Sequence, residues 1–268
     1  MSTFKEILKD HIRYRHQLVS LAISDLKKQY AGTALGIAWA LIRPAILIFV
    51  FWFAFTFGLR HGADKNGFPF FLWLIAGMIP WFYMRDMFTG GANSIRKYKF
   101  LVTKIKYPVS TIPTFVSISN LATHIGLLII MMIIFMCFGY KPTVYWLQLP
   151  VYMLMMFVFF TTWGLFSGMI SVISKDFQNL VKSLTQALFW LSGILYDVST
   201  IDSHAIQTVL KFNPVTMAAV GYRNSFIYGT WFWEDAMQLV YFCIVELVML
   251  VLAVLAYKRL KKVIPDML

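Results

Sequence analysis

The chain has 268 residues, of which 59% are apolar, 18% aromatic and only 13% charged, with a formal net charge of +12. That balance lies well above the apolar share and well below the charge share of a soluble domain, so a water-soluble catalytic domain is excluded and most of the chain is expected in lipid. Nucleic-acid binding is not expected either, because no binding module surrounds the basic residues and a membrane loop's positive bias explains them.

The N-terminus comes first. Met1 to Tyr30 mixes charges with apolar residues and has no short apolar core followed by a small-residue cleavage site, so the first span is expected to act as the targeting signal. Phe4, Ile7, Leu8, His11, Ile12, Leu18, Leu21, Ala22 and Leu26 recur at helical spacing, which predicts a cytoplasmic amphipathic helix over 1–33 lying at the membrane interface. Next, YAGTALGIAWALIRPA carries Gly32 and Gly36 as a small-xxx-small pair suited to close helix approach. Trp39 and Arg43 follow on one face at i, i+4, with Pro44 bending the helix beyond them.

Apolar length places six spans, over 35–58, 70–93, 112–138, 149–171, 181–196 and 237–257, within a membrane domain over 34–268. The expected architecture is therefore an all-α membrane protein. Residues 197–228 fit neither a span nor a plain loop, since they mix apolar residues with the breaker Asn213-Pro214 and end in an aromatic-rich turn. A re-entrant helical hairpin between spans 5 and 6 suits that composition. With both termini on one side, that side holds 17 Lys and Arg against five on the other (Arg60, Lys65, Lys141, Lys211 and Arg223), so both termini are expected in the cytoplasm.

Between spans 2 and 3 lies IRKYKFLVTKIKYP, with Arg96, Lys97, Lys99, Lys104 and Lys106 and no acid. Phe100, Leu101, Val102 and Ile105 alternate with these bases, as in a short amphipathic helix that either lies on anionic lipid or docks into a partner protein. Inside the spans, Arg85, Asp86 and Glu246 are costly charges that need partners or water. Arg85 and Asp86 are successive on one helix, so partners are expected on other helices or on a second copy of the chain. Gly164 and Gly168 offer a close-packing face, His124 reads as a hydrogen-bonded interior residue, and Cys137 and Cys243 read as small buried apolar residues. Trp146, Trp231 and Trp233 suit an interfacial aromatic belt.

LKKQYAGTALGIAWALIRP, GMIPW at Gly77 to Trp81, the N…KYP pattern at Asn93 and Tyr107-Pro108, SKDFQNL at Ser174 to Leu180, and FNP with the following Arg223 occur in this order along nearly the whole chain. Together they resemble the ABC-2 type permeases that export bacterial cell-surface polysaccharides such as O-antigen, capsule and teichoic acid. WFAFTFGLR leans towards the teichoic acid branch. The resemblance implies a multi-pass protein of the bacterial plasma (inner) membrane that works as a homodimer with two copies of a separate ABC ATPase and moves a lipid-linked glycan. It binds no cofactor itself, ATP and Mg2+ being held by the partner; the chain has no G-x-x-x-x-G-K-[ST] phosphate loop. The resemblance also implies that the N-terminal helix and the basic strip face the ATPase, through Arg96, Lys97, Lys99, Phe100, Lys104, Lys106, Lys175 and Asp176.

A hydrated glycan path calls for aromatic faces with polar tips, and Trp39, Trp81, Phe82, Tyr83, Trp190 and Tyr196 are the candidates nearest breakers or polar neighbours. A diphosphate lipid calls for a cation near the cytoplasmic leaflet, with Arg43 first and Lys27 and Lys28 behind it. Two other classes compete: an ion-coupled secondary transporter using Asp86 and Glu246, and a membrane-embedded lipid-modifying enzyme using His124, Asp86 and Glu246 as acid and base groups.

Overall fold

The computed structural model describes residues 2–58 and 67–268. Those residues form helices and connecting turns, with no strand among them. Arg60 and Lys65, counted on the outer side, and the Leu59-Arg60 end of WFAFTFGLR lie outside the described residues.

In chain order the α-helices are α1 (Ser2–Arg13), α2 (Arg15–Tyr30), α3 (Trp39–Phe53), α4 (Phe70–Lys97), α5 (Lys99–Thr103), α6 (Ile112–Cys137), α7 (Leu149–Ile173), α8 (Lys175–Leu191), α9 (His204–Lys211), α10 (Pro214–Arg223), α11 (Ala236–Leu260) and α12 (Ile264–Met267). Among the described residues four helical stretches are long and apolar enough to cross a bilayer: Gly36–Gly58, Val109–Cys137, Val144–Ile173 and Ala236–Leu260. The other two expected spans fall on α4, which carries charges, and on α8, which is amphipathic. α8 also starts six residues before the expected 181 and stops at Leu191, where the chain turns through Gly193 at φ +63°.

The bundle is built around α4. It packs against α6, α7, α8 and α10, and its side chains from Leu72 to Met84 are buried on every face. Burial on all sides requires close approach somewhere, and glycine supplies it. A Cβ on Gly164 of α7 would lie 2.9 Å from Pro113, and one on Gly91 of α4 would lie 3.2 Å from the Gly164 backbone. Gly168 lies equally tight against Ile95 and the Gly91 carbonyl, so the small-residue face expected on span 4 meets α4. The pair Gly32 and Gly36 behaves differently from expectation. Nothing lies within 4 Å of a Cβ on either, and both have positive φ (+78° and +52°). They turn the chain between α2 and α3, and the freedom they supply is conformational, not packing space.

Local signals explain three of the helix starts. Asn213 accepts a hydrogen bond from Val215 N at 3.0 Å while Pro214 fills the first helical position, so the expected breaker is the N-cap of α10. Ser174 caps α8 by accepting from Phe177 N, and Asp176 sits in the first turn where the helix dipole favours it. Asp235 caps α11 and also pairs with Lys211 of α9 at 3.1 Å. The N-terminal amphipathic segment is two helices, not one, broken at Tyr14, whose ring packs edge-on against Tyr107 at 5.3 Å.

The cysteine expectation fails: Cys137 and Cys243 are both exposed on the bundle's outside. In a membrane protein the outer surface faces hydrocarbon, so an apolar thiol gains nothing by hiding in the protein.

Candidate functional site: a polar cleft beside a latched interfacial helix

α2, α3, α4 and α6 leave a cavity of about 380 Å³ between them, at the end of the bundle that carries both termini and the basic strip. That volume falls in the range of small-ligand sites. Arg43, Arg85, Asp86 and Lys97 supply its charge, Tyr30, Trp39, Phe82 and Tyr83 its aromatic rings, and Gln29, Asn93, Asn120 and Thr123 neutral hydrogen-bonding groups.

Each charged group is held differently. Arg43 makes no ion pair among the described residues; its guanidinium lies 5.7 Å from the Trp39 ring centre, on the shared face that the i, i+4 spacing predicts. Arg85 bonds its own neighbour, with Nε and Nη2 at 2.9 and 2.8 Å from Asp86 Oδ1. This corrects the expectation of partners on other helices. The long Arg side chain curls back along α4 and lies over Phe82, 5.5 Å from its ring centre. Lys97 closes the rim and is paired outside the cleft.

Its partner is Asp25 of α2, which is 1% exposed. Lys97 Nζ lies 2.7 Å from Asp25 Oδ1, Tyr98 donates its hydroxyl to the same oxygen, and Gln29 Nε2 donates to Oδ2 at 3.0 Å while reaching Ser119 at 3.3 Å. Burial by itself pushes the Asp25 carboxyl up, but the Lys97, Tyr98 and Gln29 donors together hold it below the ordinary carboxylate value. An ionised, fully bonded Asp25 thus latches α2 to the C-terminal end of α4. A second latch joins α1 to the far end of the chain through Glu6 and Lys261, with Asp10 accepting from Ser110 at 2.8 Å.

Of the expected pathway residues, Trp39, Arg43, Phe82 and Tyr83 meet at the cleft. Tyr83 is also tied to Ser117 at 2.7 Å. Trp81 is buried elsewhere against Phe189, 5.5 Å between ring centres. Trp190 is exposed on α8, edge-on to Phe51 of α3, and Tyr196 sits in the turn after α8. His124 reaches the cleft and shares a 2.6 Å hydrogen bond with Tyr222, as an interior histidine should. Glu246 lies apart between α11 and α7, with Thr162 Oγ1 at 3.5 Å, so the three residues an enzymatic reading needs are not gathered in one place.

The basic strip ends α4, forms α5 and leads into α6. Leu101 and Val102 pack inward, while Lys99, Phe100, Lys104, Ile105 and Lys106 are exposed. Arg96 is fixed to the Val172 carbonyl at 3.0 Å, and Lys175 and Asp176 are exposed at the start of α8.

One residue that charge counting treats as a loop cation is structural. Arg223 is 2% exposed at the end of α10, donates to the carbonyls of Trp73, Gly193 and Ile194, and lies 3.4 Å from the Trp73 ring centre. It therefore binds the turn after α8 to α4 and α10. Gly77 makes room for it, since a Cβ there would lie 2.4 Å from the guanidinium. The signal available in sequence was the pairing of GMIPW with an Arg after FNP, which spacing alone does not explain.

Comparison with known proteins agrees with this architecture. The ABC-2 type transporter family model matches residues 16–227. The O-antigen export system permease protein RfbA of Myxococcus xanthus is 30% identical, with 82% of this chain and 84% of that protein covered. Two proteins of the same name from Klebsiella pneumoniae are 22% and 23% identical over about four fifths of this chain. With the family model spanning more than half of it, this multi-pass membrane chain belongs to the ABC-2 type transporter family.

Proposed function

We propose that the chain is the permease subunit of an ABC exporter that moves lipid-linked cell-surface polysaccharide across the bacterial inner membrane. The observation that carries this reading is the cleft itself. It brings an unpaired arginine, four aromatic rings and several neutral hydrogen-bonding groups to the same end of the bundle as an exposed basic strip. Phosphate oxygens suit Arg43 bidentately, and a sugar face stacks on Trp39 while hydroxyls exchange bonds with Asn93, Asn120 and Gln29. The relatives' names, O-antigen export permeases, point the same way.

On this reading α4 and α8 complete six spans, α9 and α10 form a re-entrant hairpin at the outer face, and both termini are cytoplasmic, in keeping with the positive-inside rule. Two copies and two ATPase subunits make the working unit, with ATP and Mg2+ on the ATPase. Lys99, Phe100, Lys104 and Lys106, joined by Lys175 and Asp176, form the exposed dock for that partner, while Arg96 and Lys97 anchor its base. Trp190, exposed beside α3, is the candidate for the path between two copies.

The test is co-expression of the tagged chain with an ATPase of the same export system from its host. Co-purification with vanadate-sensitive ATP hydrolysis is expected, and Lys99→Glu, Lys104→Glu and Lys106→Glu together should remove it while leaving the permease folded. A chain that recruits no ATPase, and moves or modifies a substrate alone, would falsify the reading.

A further inference from the structure

The basic strip ends in a strained backbone. Among the described residues Lys106 is the only non-glycine residue with positive φ, at +56°, and Tyr107 N closes the turn on the Leu101 carbonyl at 2.8 Å. Glycine suits such a position, because a Cβ there crowds the neighbouring carbonyl. A lysine kept in that conformation points to a use for its side chain.

Lys106 lines a cavity of about 600 Å³ bounded by α1, α5, the foot of α11 and α12, which shares no residue with the polar cleft. Its charges do not cancel. Glu6 and Lys261 pair with each other, while Lys106, Lys262 and Asp266 make no ion pair among the described residues, which leaves one positive charge in excess. On the wall, Tyr107 is 7% exposed and its hydroxyl is buried without an acceptor. A singly charged oxyanion would satisfy both deficits.

The source of that oxyanion follows from α11. Val251, Leu255 and Lys258 fall on one exposed stripe of this membrane-crossing helix, and Lys262 continues it two residues past the helix end, into the cavity. Hydrocarbon covers the stripe's apolar part, so a phospholipid lying against it carries its headgroup to the level of Lys262. A soluble partner protein cannot follow the stripe into the bilayer, and Lys99 and Lys104, which lie outside the cavity, stay open to one.

We propose that this cavity is a site for the phosphodiester headgroup of an anionic phospholipid of the surrounding leaflet. Lys106 and Lys262 bind the phosphate, Tyr107 donates its hydroxyl to it, and the acyl chains lie on α11. This lipid stays in the bilayer and is not carried across it. Bound there, it joins α1, the end of the strip and the foot of α11, and makes the position of the strip depend on the charge of the leaflet. The inference requires that α11 cross the membrane and does not rest on the export reading.

The test uses the full chain purified in detergent with no ATPase present, titrated by native mass spectrometry with phosphatidylglycerol, phosphatidylcholine and glycerol 1-phosphate. Phosphatidylglycerol is expected to bind at least about fivefold more tightly than either of the others. Lys106→Gly separates strain from binding. It should melt about 2 °C higher in lipid-free detergent, because the turn relaxes, yet bind phosphatidylglycerol about fivefold more weakly. Lys262→Gln should weaken binding by a similar factor, and Lys99→Gln, outside the cavity, should not. Equal binding of phosphatidylcholine overturns the proposal, and equal binding of glycerol 1-phosphate would make this a site for a free phosphate. A Lys99→Gln loss as large as that of Lys106→Gly would reduce the effect to diffuse attraction. A Lys106→Gly protein that keeps its phosphatidylglycerol affinity, or melts no higher, also overturns it. Because neither ATP hydrolysis nor export is read, failure of ATPase recruitment and failure of this site are separate results.

Discussion

Helices α4 and α11 are both long, and they meet opposite environments. α11 is apolar almost throughout and buries little beyond Phe242, Met249, Ala253 and Tyr257, so its outer face is matched to hydrocarbon. α4 is buried on nearly every face, yet carries Arg85, Asp86, Pro80 and the pair Gly90 and Gly91. The difference teaches that hydropathy measures contact with lipid. A helix surrounded by protein is released from that demand and can use charges to line a cleft and glycines to bring its neighbours close.

The most damaging way to break this contrast is at the lock between α4 and α10. Arg223→Ala leaves the carbonyls of Gly193 and Ile194 without their donor and opens a void beside Trp73, a loss on the order of 3 kcal/mol. The expected result is a large drop in the detergent melting temperature. Arg223→Lys should recover little of it, because a single ammonium cannot reach three carbonyls as the guanidinium fork does.

A glycine comparison sharpens the same point. Gly164→Leu forces bulk against Pro113 and the α4 backbone and should cost about 1–3 kcal/mol or prevent folding. Gly126→Leu on α6 meets nothing within 4 Å and should be neutral in the same melting assay. Equal effects would show that α4 is not a tightly enclosed helix.

The smallest expected effect is at the latch outside the bundle, and it carries a pH signature. The folded Asp25 carboxyl is held below its ordinary value, so its ionised form stabilises the fold at neutral pH, and that contribution disappears only as pH falls through the depressed value. Asp25→Asn should therefore lower stability by about 1 kcal/mol at pH 7 and loosen α2 in hydrogen exchange. The gap between the two proteins should persist at about pH 5 and close only in acid below about pH 4. A gap that closes near neutrality would mean Asp25 is not held ionised by Lys97 and Tyr98.

Much is legible in the sequence itself. Composition and apolar run length marked a membrane protein. Spacing put Trp39 and Arg43 on one face, and Gly164 with Gly168 marked a close contact. Asn213-Pro214 showed a break, though only backbone geometry revealed it as a helix start. Less legible were the residues whose role depends on what lies opposite. Arg85 and Asp86 looked divergent because a sequence gives the direction of Cβ but not the bend of a long side chain. Cys137 and Cys243 looked interior because their apolar runs do not say which face meets lipid. Trp81 and Trp190 looked equivalent, yet one is enclosed and the other exposed.

The sequence by itself determined helical class, membrane residence and the concentration of positive charge at one end, because these follow from sums over many residues and tolerate local error. Only the tertiary structure decided that Asp25 is buried beneath Lys97 and Tyr98, that Arg223 binds a turn 30 residues earlier at Gly193, and that α2, α3, α4 and α6 enclose a polar cleft. Those depend on the juxtaposition of groups far apart in the chain, and a single buried hydrogen bond or missing Cβ fixes them.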